Sequence, residues 1–499
     1  MKRVAIGSLR VLARLVGYGA VGASLVAVVA FVLYLNGRPD LAVWHTADLD
    51  AEFTAGSPVR SFEDYLALET RLFAQLEERV YDRIDDDQRS MLNRYHHGSF
   101  ADPARWPRNW NRSYEFVADA PRAGALLIHG MSDSPYSLRH VAERLRAAGV
   151  TVVGLRVPGH GTAPVGLTRT TFEDMAAAVR LAVAHLRDRV GDRPIHLVGY
   201  SNGAALAVHY ALTQLDAPDR PAPDRIVLFS PEIGISPAAA LAIWQERIGR
   251  LLGLDKLAWN SVLPEYDPYK YQSFAVNAGN QAYRLTRENA RLIADLGARD
   301  RLGDMPPVLA FQSAVDATVS TTAVIAGLMS RLPAGGHELV LFDLNRWTDI
   351  EYLLEHDPAP ELLALVEGGA STYTVRVVTN ASETSLEIVL KSRVAGQREV
   401  TSEPLALRWP KGVFSLSHVA LPFPPTDPLY GDARAGPSPG IQLGDVALRG
   451  ERGVLQVSSA DMLRQRSNPF YAFAAAHLVE FLGLTRPAHG PGTDAGAAP

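Results

Sequence analysis

Short apolar runs alternate with longer amphipathic stretches over most of this 499-residue chain. "YEFV" (114–117), "GALLIHG" (124–130), "TVVGLRV" (151–157), "PIHLVGY" (194–200) and "RIVLFSP" (225–231) read as strands. They are short, and several are apolar at consecutive positions, as strands covered on both faces are. Between them Ser137–Ala148, Phe172–Val190 and Ser201–Leu215 carry apolar residues at helical spacing. The alternation pauses from Glu232 to about Met305. It resumes with "PPVLAFQSAVD" (306–316), a helix over Thr321–Leu332 and "HELVLFDLN" (337–345). A second pause runs from Arg346 to Lys411, and a helix over Pro469–Leu482 closes the pattern. This order predicts an α/β fold, a mostly parallel sheet with helices on both faces.

The two pauses differ in kind. The first, 232–305, is helical and aromatic (Trp244, Trp259, Tyr266, Tyr269, Tyr271, Phe274, Tyr283) and reads as a cap. The second, 346–411, is β-rich, and "TYTVRVVTN" and "TSLEIVLKSRV" have the pattern of a hairpin. Ahead of the α/β domain, 109–485, the segment 37–108 is polar apart from Ser61–Tyr81. There Phe62, Tyr65, Leu66, Leu72, Phe73, Leu76 and Val80 share one face and Ser61 with Asp64 forms an N-cap, which predicts a docking helix. "DDD" at 85–87 reads as a solvated turn rather than a metal site. Residues 486–499 have the composition of a disordered tail.

Leu15–Asn36 carries no charge over 22 residues. A helix of that length spans roughly 33 Å, enough for a bilayer core. Lys2, Arg3, Arg10 and Arg14 precede it, so the positive-inside rule places residues 1–14 in the cytoplasm and the folded domain outside, periplasmic or extracellular. A cleaved signal peptide is the competing reading, but "FVLYLNGRPD" offers no small-x-small cleavage site. The expectation is a single-pass anchor.

The formal net charge of −5 gives no basic field for nucleic acid. The absence of cysteine removes disulfides, thiolate metal sites and a cysteine nucleophile. Asn111 and Asn380 begin Asn-x-Ser triplets.

Candidate chemistry gathers at the ends of predicted strands, where parallel sheets place their working groups. Ser201 lies in Gly199-Tyr200-Ser201-Asn202-Gly203, between a predicted strand and a predicted helix, the setting of a nucleophile elbow. A serine needs a base, and the base an orienting acid. Among later histidines, His337 begins a strand, His356 falls in a helical surface run, His477 sits inside the closing helix and His489 in the tail. His418 alone follows a strand-like run and precedes a loop and a helix. Asp316, at the end of a strand, is the preferred acid; Asp343, one strand later, is its alternative. The N–H groups of Asn202 and Met131 are the candidate oxyanion donors. His129 shapes the Met131 loop, and His160 has no second ligand near it in sequence that would make a metal site.

"HGMSDSP", "PGHGTAP", "GYSNGA", "SAVDATV" and "SLSHV" occur in the order seen in α/β-hydrolases, and the chain resembles their monoacylglycerol lipase and lysophospholipase branch. The resemblance spans about Ala123–Asn345 and Gly412–Leu484. It implies a serine hydrolase of esters, often lipid esters, with a cap over the pocket and no metal or cofactor. The 346–411 insertion and the N-terminal anchor depart from that pattern. A peptidase or amidase on the same residues, and a non-catalytic scaffold binding a partner through 346–411, remain the alternatives.

Overall fold

Apolar residues at successive strand positions end up on opposite faces of one sheet, and helices cover both faces. The computed structural model describes residues 2–234, 254–348, 357–432, 438–444 and 464–485. The strands are β1 (Tyr114–Phe116), β2 (Ala123–Ile128), β3 (Val150–Leu155), β4 (Ile195–Tyr200), β5 (Arg225–Phe229), β6 (Trp259–Ser261), β7 (Phe274–Ala275), β8 (Val308–Ser313), β9 (Glu338–Phe342), β10 (Thr374–Asn380), β11 (Glu387–Arg393) and β12 (Thr401–Arg408). The helices used below are α1 (Lys2–Asn36), α2 (Phe62–Arg79), α3 (Arg139–Ala147), α4 (Phe172–Val190), α5 (Asn202–Gln214), α6 (Val276–Ala298), α7 (Thr321–Gly327), α8 (Ala359–Glu367) and α9 (Tyr471–Phe481).

The main sheet runs β1-β3-β2-β4-β5-β8-β9-β10-β11-β12, and β6 pairs with β7 separately. From β3 to β10 every pairing is parallel; β1, β11 and β12 join antiparallel at the two edges. Leu126 and Ile128 of β2, Ile195 and Leu197 of β4, and Leu339 and Leu341 of β9 face a core layer shared with α2, α4, α5, α6, α7 and α8. Leu127, Val198, Val340 and Phe342 face the opposite layer, with α3 and α9. Burial on both faces is why these strands read as unbroken apolar runs.

The 346–411 insertion extends the sheet. "TYTVRVVTN" and "TSLEIVLKSRV" pair as the antiparallel hairpin β10–β11, with Val377 opposite Lys391. β10 lies parallel to β9, and β12 adds an edge strand absent from the sequence reading. The chain then returns to its point of departure. The Asn345 N–H donates to the Phe414 carbonyl at 2.7 Å, and the Asn345 amide donates to the Val413 carbonyl at 2.9 Å. The histidine loop thus starts beside the end of β9 despite the intervening strands.

In the cap, Trp244 lies outside the described residues, as do His356, His489 and the tail 486–499. The last part of 232–305 is α6, whose Leu285, Leu292, Ile293 and Leu296 join the sheet's own apolar layer.

Ahead of the sheet, α2 docks as its pattern predicts. The Ser61 hydroxyl accepts from the Asp64 N–H at 3.1 Å and the Asp64 carboxylate accepts from the Ser61 N–H at 3.2 Å. Phe62 and Tyr65 enter the sheet's core layer, and the Tyr65 hydroxyl donates to the Arg156 carbonyl at 2.6 Å. Buried Arg156 binds Glu52 at 2.9 Å and Glu69 at 3.1 Å, which ties this segment to the end of β3. Neither Asn-x-Ser triplet presents a free side chain. The Asn111 amide donates to Pro268 and the Asn380 amide to Asn345 and Ser385.

The expected membrane-spanning helix over 15–36 is not upheld. The stretch is helical, within α1, but among the described residues no helix is long and apolar enough to cross a membrane. The side chains at 2–14, 16, 27, 28 and 31 lie outside the described residues, so the described side chains make no unbroken apolar run along it.

Candidate active site

Backbone geometry at the end of β4 projects Ser201 out of the sheet. Ser201 has φ 54° and ψ −119°, a conformation that costs a non-glycine residue about 1–3 kcal/mol and is held only by its surroundings. Its N–H donates to the Phe229 carbonyl at 2.9 Å, and its carbonyl accepts from Ala204, Ala205 and Glu232. The flanking glycines are sterically required. A Cβ at Gly199 would lie 2.4 Å from Ala204 Cα, and one at Gly203 would lie 2.0 Å from the Ile128 carbonyl oxygen. α5 begins at Asn202, so the positive end of its dipole lies at the serine.

His418 opens a short 3₁₀ turn and is buried. The Ser201 hydroxyl donates to His418 Nε2 at 2.9 Å, and His418 Nδ1–H donates to the Asp316 carboxylate at 3.0 Å. Asp316 also accepts from the N–H groups of Thr318 at 2.8 Å and Val319 at 2.9 Å, and from the Gln312 amide at 3.2 Å. Burial works to raise the Asp316 pKa. The His418 hydrogen bond and charge and the two backbone donors outweigh it, and the carboxyl sits below its ordinary value. The structure therefore brings Ser201, His418 and Asp316, residues remote in sequence, into one hydrogen-bonded line.

Asp343, the alternative acid, is engaged elsewhere. Arg346 binds it at 3.0 Å and the Thr379 hydroxyl donates to it at 2.8 Å. Two of the other candidate histidines have structural partners. His337 accepts from the Val308 N–H at 3.1 Å, and burial pushes its pKa down to about 4. His477 binds Glu338 at 2.9 Å.

Met131 follows β2 in the turn that passes the nucleophile. A Cβ on its neighbour Gly130 would stand 3.0 Å from Ser201 Cβ. The loop is shaped by His129, which accepts from the Val157 N–H at 3.0 Å and donates from Nδ1 to the Gly130 carbonyl at 2.9 Å. Burial, then the neighbouring His160, holds the His129 pKa well below its ordinary value, so the ring stays neutral. Among the described residues, neither the Met131 nor the Asn202 backbone N–H donates to a protein acceptor. Two donors at the nucleophile without a protein acceptor are what an oxyanion requires. His160 is also a buried loop residue, its Nδ1–H donating to the Pro158 carbonyl at 2.9 Å.

Sequence reasoning missed Glu232. The Asn202 amide donates to its carboxylate at 3.0 Å, which puts an acid beside the first turn of α5. Burial pushes the Glu232 pKa up, and the Asn202 hydrogen bond and the His418 charge pull it down. Its position just past the end of β5 was the available signal. Most cap aromatics turn out to be packing residues. Trp259 and Tyr271 lie in a cluster with Leu167 and Ala278, and Tyr269 stacks on Tyr136 with ring centroids 4.3 Å apart.

Residues 119–323 match the family described as serine aminopeptidase, S33 (Hydrolase_4), less than half of the chain. A 96-residue stretch is 38% identical to a thermostable monoacylglycerol lipase of Bacillus sp. (strain H-257). That match covers 19% of this chain and 38% of the relative. Two solved structures overlap less closely. A Paleococcus ferrophilus monoacylglycerol lipase has 21% identity and a TM-score of 0.35, covering 46% of this chain and 88% of that one. A soluble variant of the Saccharomyces cerevisiae monoglyceride lipase has 14% identity and a TM-score of 0.36, covering 46% and 82%. The chain resembles the monoacylglycerol lipase branch of the α/β-hydrolases.

Proposed function

We propose that this chain is a serine hydrolase of carboxylic esters, lipid esters among them. The observation that carries the reading is the line Ser201–His418–Asp316, at 2.9 and 3.0 Å, beside two unengaged backbone donors. In this reading Ser201 Oγ attacks the acyl carbonyl while His418 Nε2 takes its proton. Asp316 fixes the imidazole tautomer and stabilises its positive form. The tetrahedral oxyanion rests on the Met131 and Asn202 N–H groups. Collapse expels the alcohol, which takes the proton from His418, and leaves an acyl-enzyme. Water then attacks that ester with His418 as base and restores Ser201.

Likeness to a monoacylglycerol lipase favours a lipid acyl chain. A series of p-nitrophenyl esters of rising acyl length tests this: medium or long chains should be turned over best, and preference for acetate would count against a lipase. The family description names an aminopeptidase, which keeps amide cleavage as a second reading. Turnover of an aminoacyl p-nitroanilide faster than of the esters would favour it.

A further inference from the structure

A cleft of about 110 Å³ is lined by Tyr200 and Val419, the sequence neighbours of Ser201 and His418. Its wall is built from segments that flank the site. Asp133 comes from the turn after β2, Tyr200 from the elbow, Lys270 from the cap, Val419 from the histidine turn, and Arg464 and Arg466 from the segment before α9. Tyr200 and Val419 directly adjoin Ser201 and His418 in sequence, and the Tyr200 and His418 ring centroids are 5.4 Å apart.

The charge in this cleft is unbalanced. Among the described residues, Lys270, Arg464 and Arg466 face it with one carboxylate, Asp133, 3.4 Å from the Lys270 ammonium. Asp133 is buried, which works to protonate it against the pull of Lys270, so it offsets at most one of the three cations. Asp267, outside the cleft wall, is engaged by the Tyr430 hydroxyl at 2.5 Å and the Tyr269 N–H at 2.9 Å, and it also feels the Arg466 charge, so the two carboxylates leave about one cation of the three unmatched. Arg464 donates one N–H to the Thr318 hydroxyl at 2.9 Å, and Arg466 makes no hydrogen bond or ion pair among the described residues. Tyr266 and Phe423 complete a largely apolar rim. Cations held in a half-enclosed, low-dielectric site attract an oxyanion and bind it through charge-assisted hydrogen bonds.

We infer that this cleft receives an anionic group, a phosphate or a carboxylate, carried by the ester that Ser201 cleaves. The inference rests on the ester-hydrolase reading and narrows it to anionic esters. The volume suits such a group, since a cavity needs only about 10–15 Å³ to hold one water.

The test compares kcat/KM of the full chain for decanoyl esters of glycerol, glycerol phosphate and glyceric acid. At least one anionic ester should exceed the glycerol ester by about tenfold, the scale of a charge-assisted contact. Which one does so separates phosphate from carboxylate. Lys270→Met and Arg466→Gln should each bring the anionic-to-neutral ratio toward one, as should raised ionic strength. The ratio cancels any general loss of activity. A wild-type ratio of one or less, with the glycerol ester still cleaved, overturns the anion site alone. So does a ratio that both variants leave unchanged. No turnover of any ester overturns the hydrolase reading, and this inference with it.

Discussion

Asn345 and Phe414, at opposite ends of the inserted strands, are joined by a 2.7 Å backbone hydrogen bond, and the Asn345 side chain reinforces it on Val413. The loop leading to His418 is thereby anchored to the last strand before the insertion. Ser313 adds a second tether, its hydroxyl donating to the Leu416 carbonyl at 2.8 Å. Asn345→Ala should cost about 1–3 kcal/mol, the penalty for leaving buried polar partners unpaired. It should also lower kcat, because His418 loses its fixed approach. Urea unfolding and steady-state ester hydrolysis check the two effects.

The two candidate acids separate by mutation. Asp316→Asn should lower kcat on the order of 10³–10⁴-fold by disturbing the His418 tautomer. Asp343→Asn should cost stability through Arg346 and Thr379 while kcat falls less than about tenfold. A p-nitrophenyl ester assay of both variants, with melting curves, decides between them.

Some of this was legible in the sequence and some was not. Ser201 was, because Gly199 and Gly203 bracket it between a buried strand and a helix. The β10–β11 hairpin was too, from two apolar runs. β12 was not, since its side chains are mostly exposed and Pro404 lies within it, features of an edge strand. α6 reads as cap by position yet packs against the sheet, because amphipathic periodicity shows that a face is buried and not against what. The 15–36 stretch was legible as a helix, but its apolarity was read as a membrane span that the described residues do not support. Glu232 and the Lys270, Arg464 and Arg466 cluster come together only through tertiary contacts, which local pattern does not encode.

The pH dependence of stability should have an acid limb set by Asp427. This buried carboxylate is opposed by burial but held by His140 at 2.9 Å, Arg139 at 3.1 Å and the Tyr430 N–H at 2.7 Å. Its pKa is lowered from 3.8 to about 2. A depressed carboxylate contributes its stability above the unfolded value and loses it as pH falls through the folded one. About 2–3 kcal/mol should therefore disappear between pH ~4 and pH ~2. Asp427→Asn should flatten that limb in denaturant titrations across the range.

Arg156→Met should destabilise the fold by about 3–5 kcal/mol, because it leaves Glu52 and Glu69 without their buried cation. The loss should appear as a lower Tm and as earlier proteolysis of the 37–108 segment that Arg156 ties down.

The central claim is that Ser201 is a nucleophile activated by His418. Its most direct test is labelling of the folded chain with a fluorophosphonate, followed by mass spectrometry of the labelled peptide. The account predicts one label per chain, on Ser201, lost in Ser201→Ala and strongly slowed in His418→Ala. A folded wild-type chain that takes no label, or a Ser201→Ala chain that labels equally well, would contradict it.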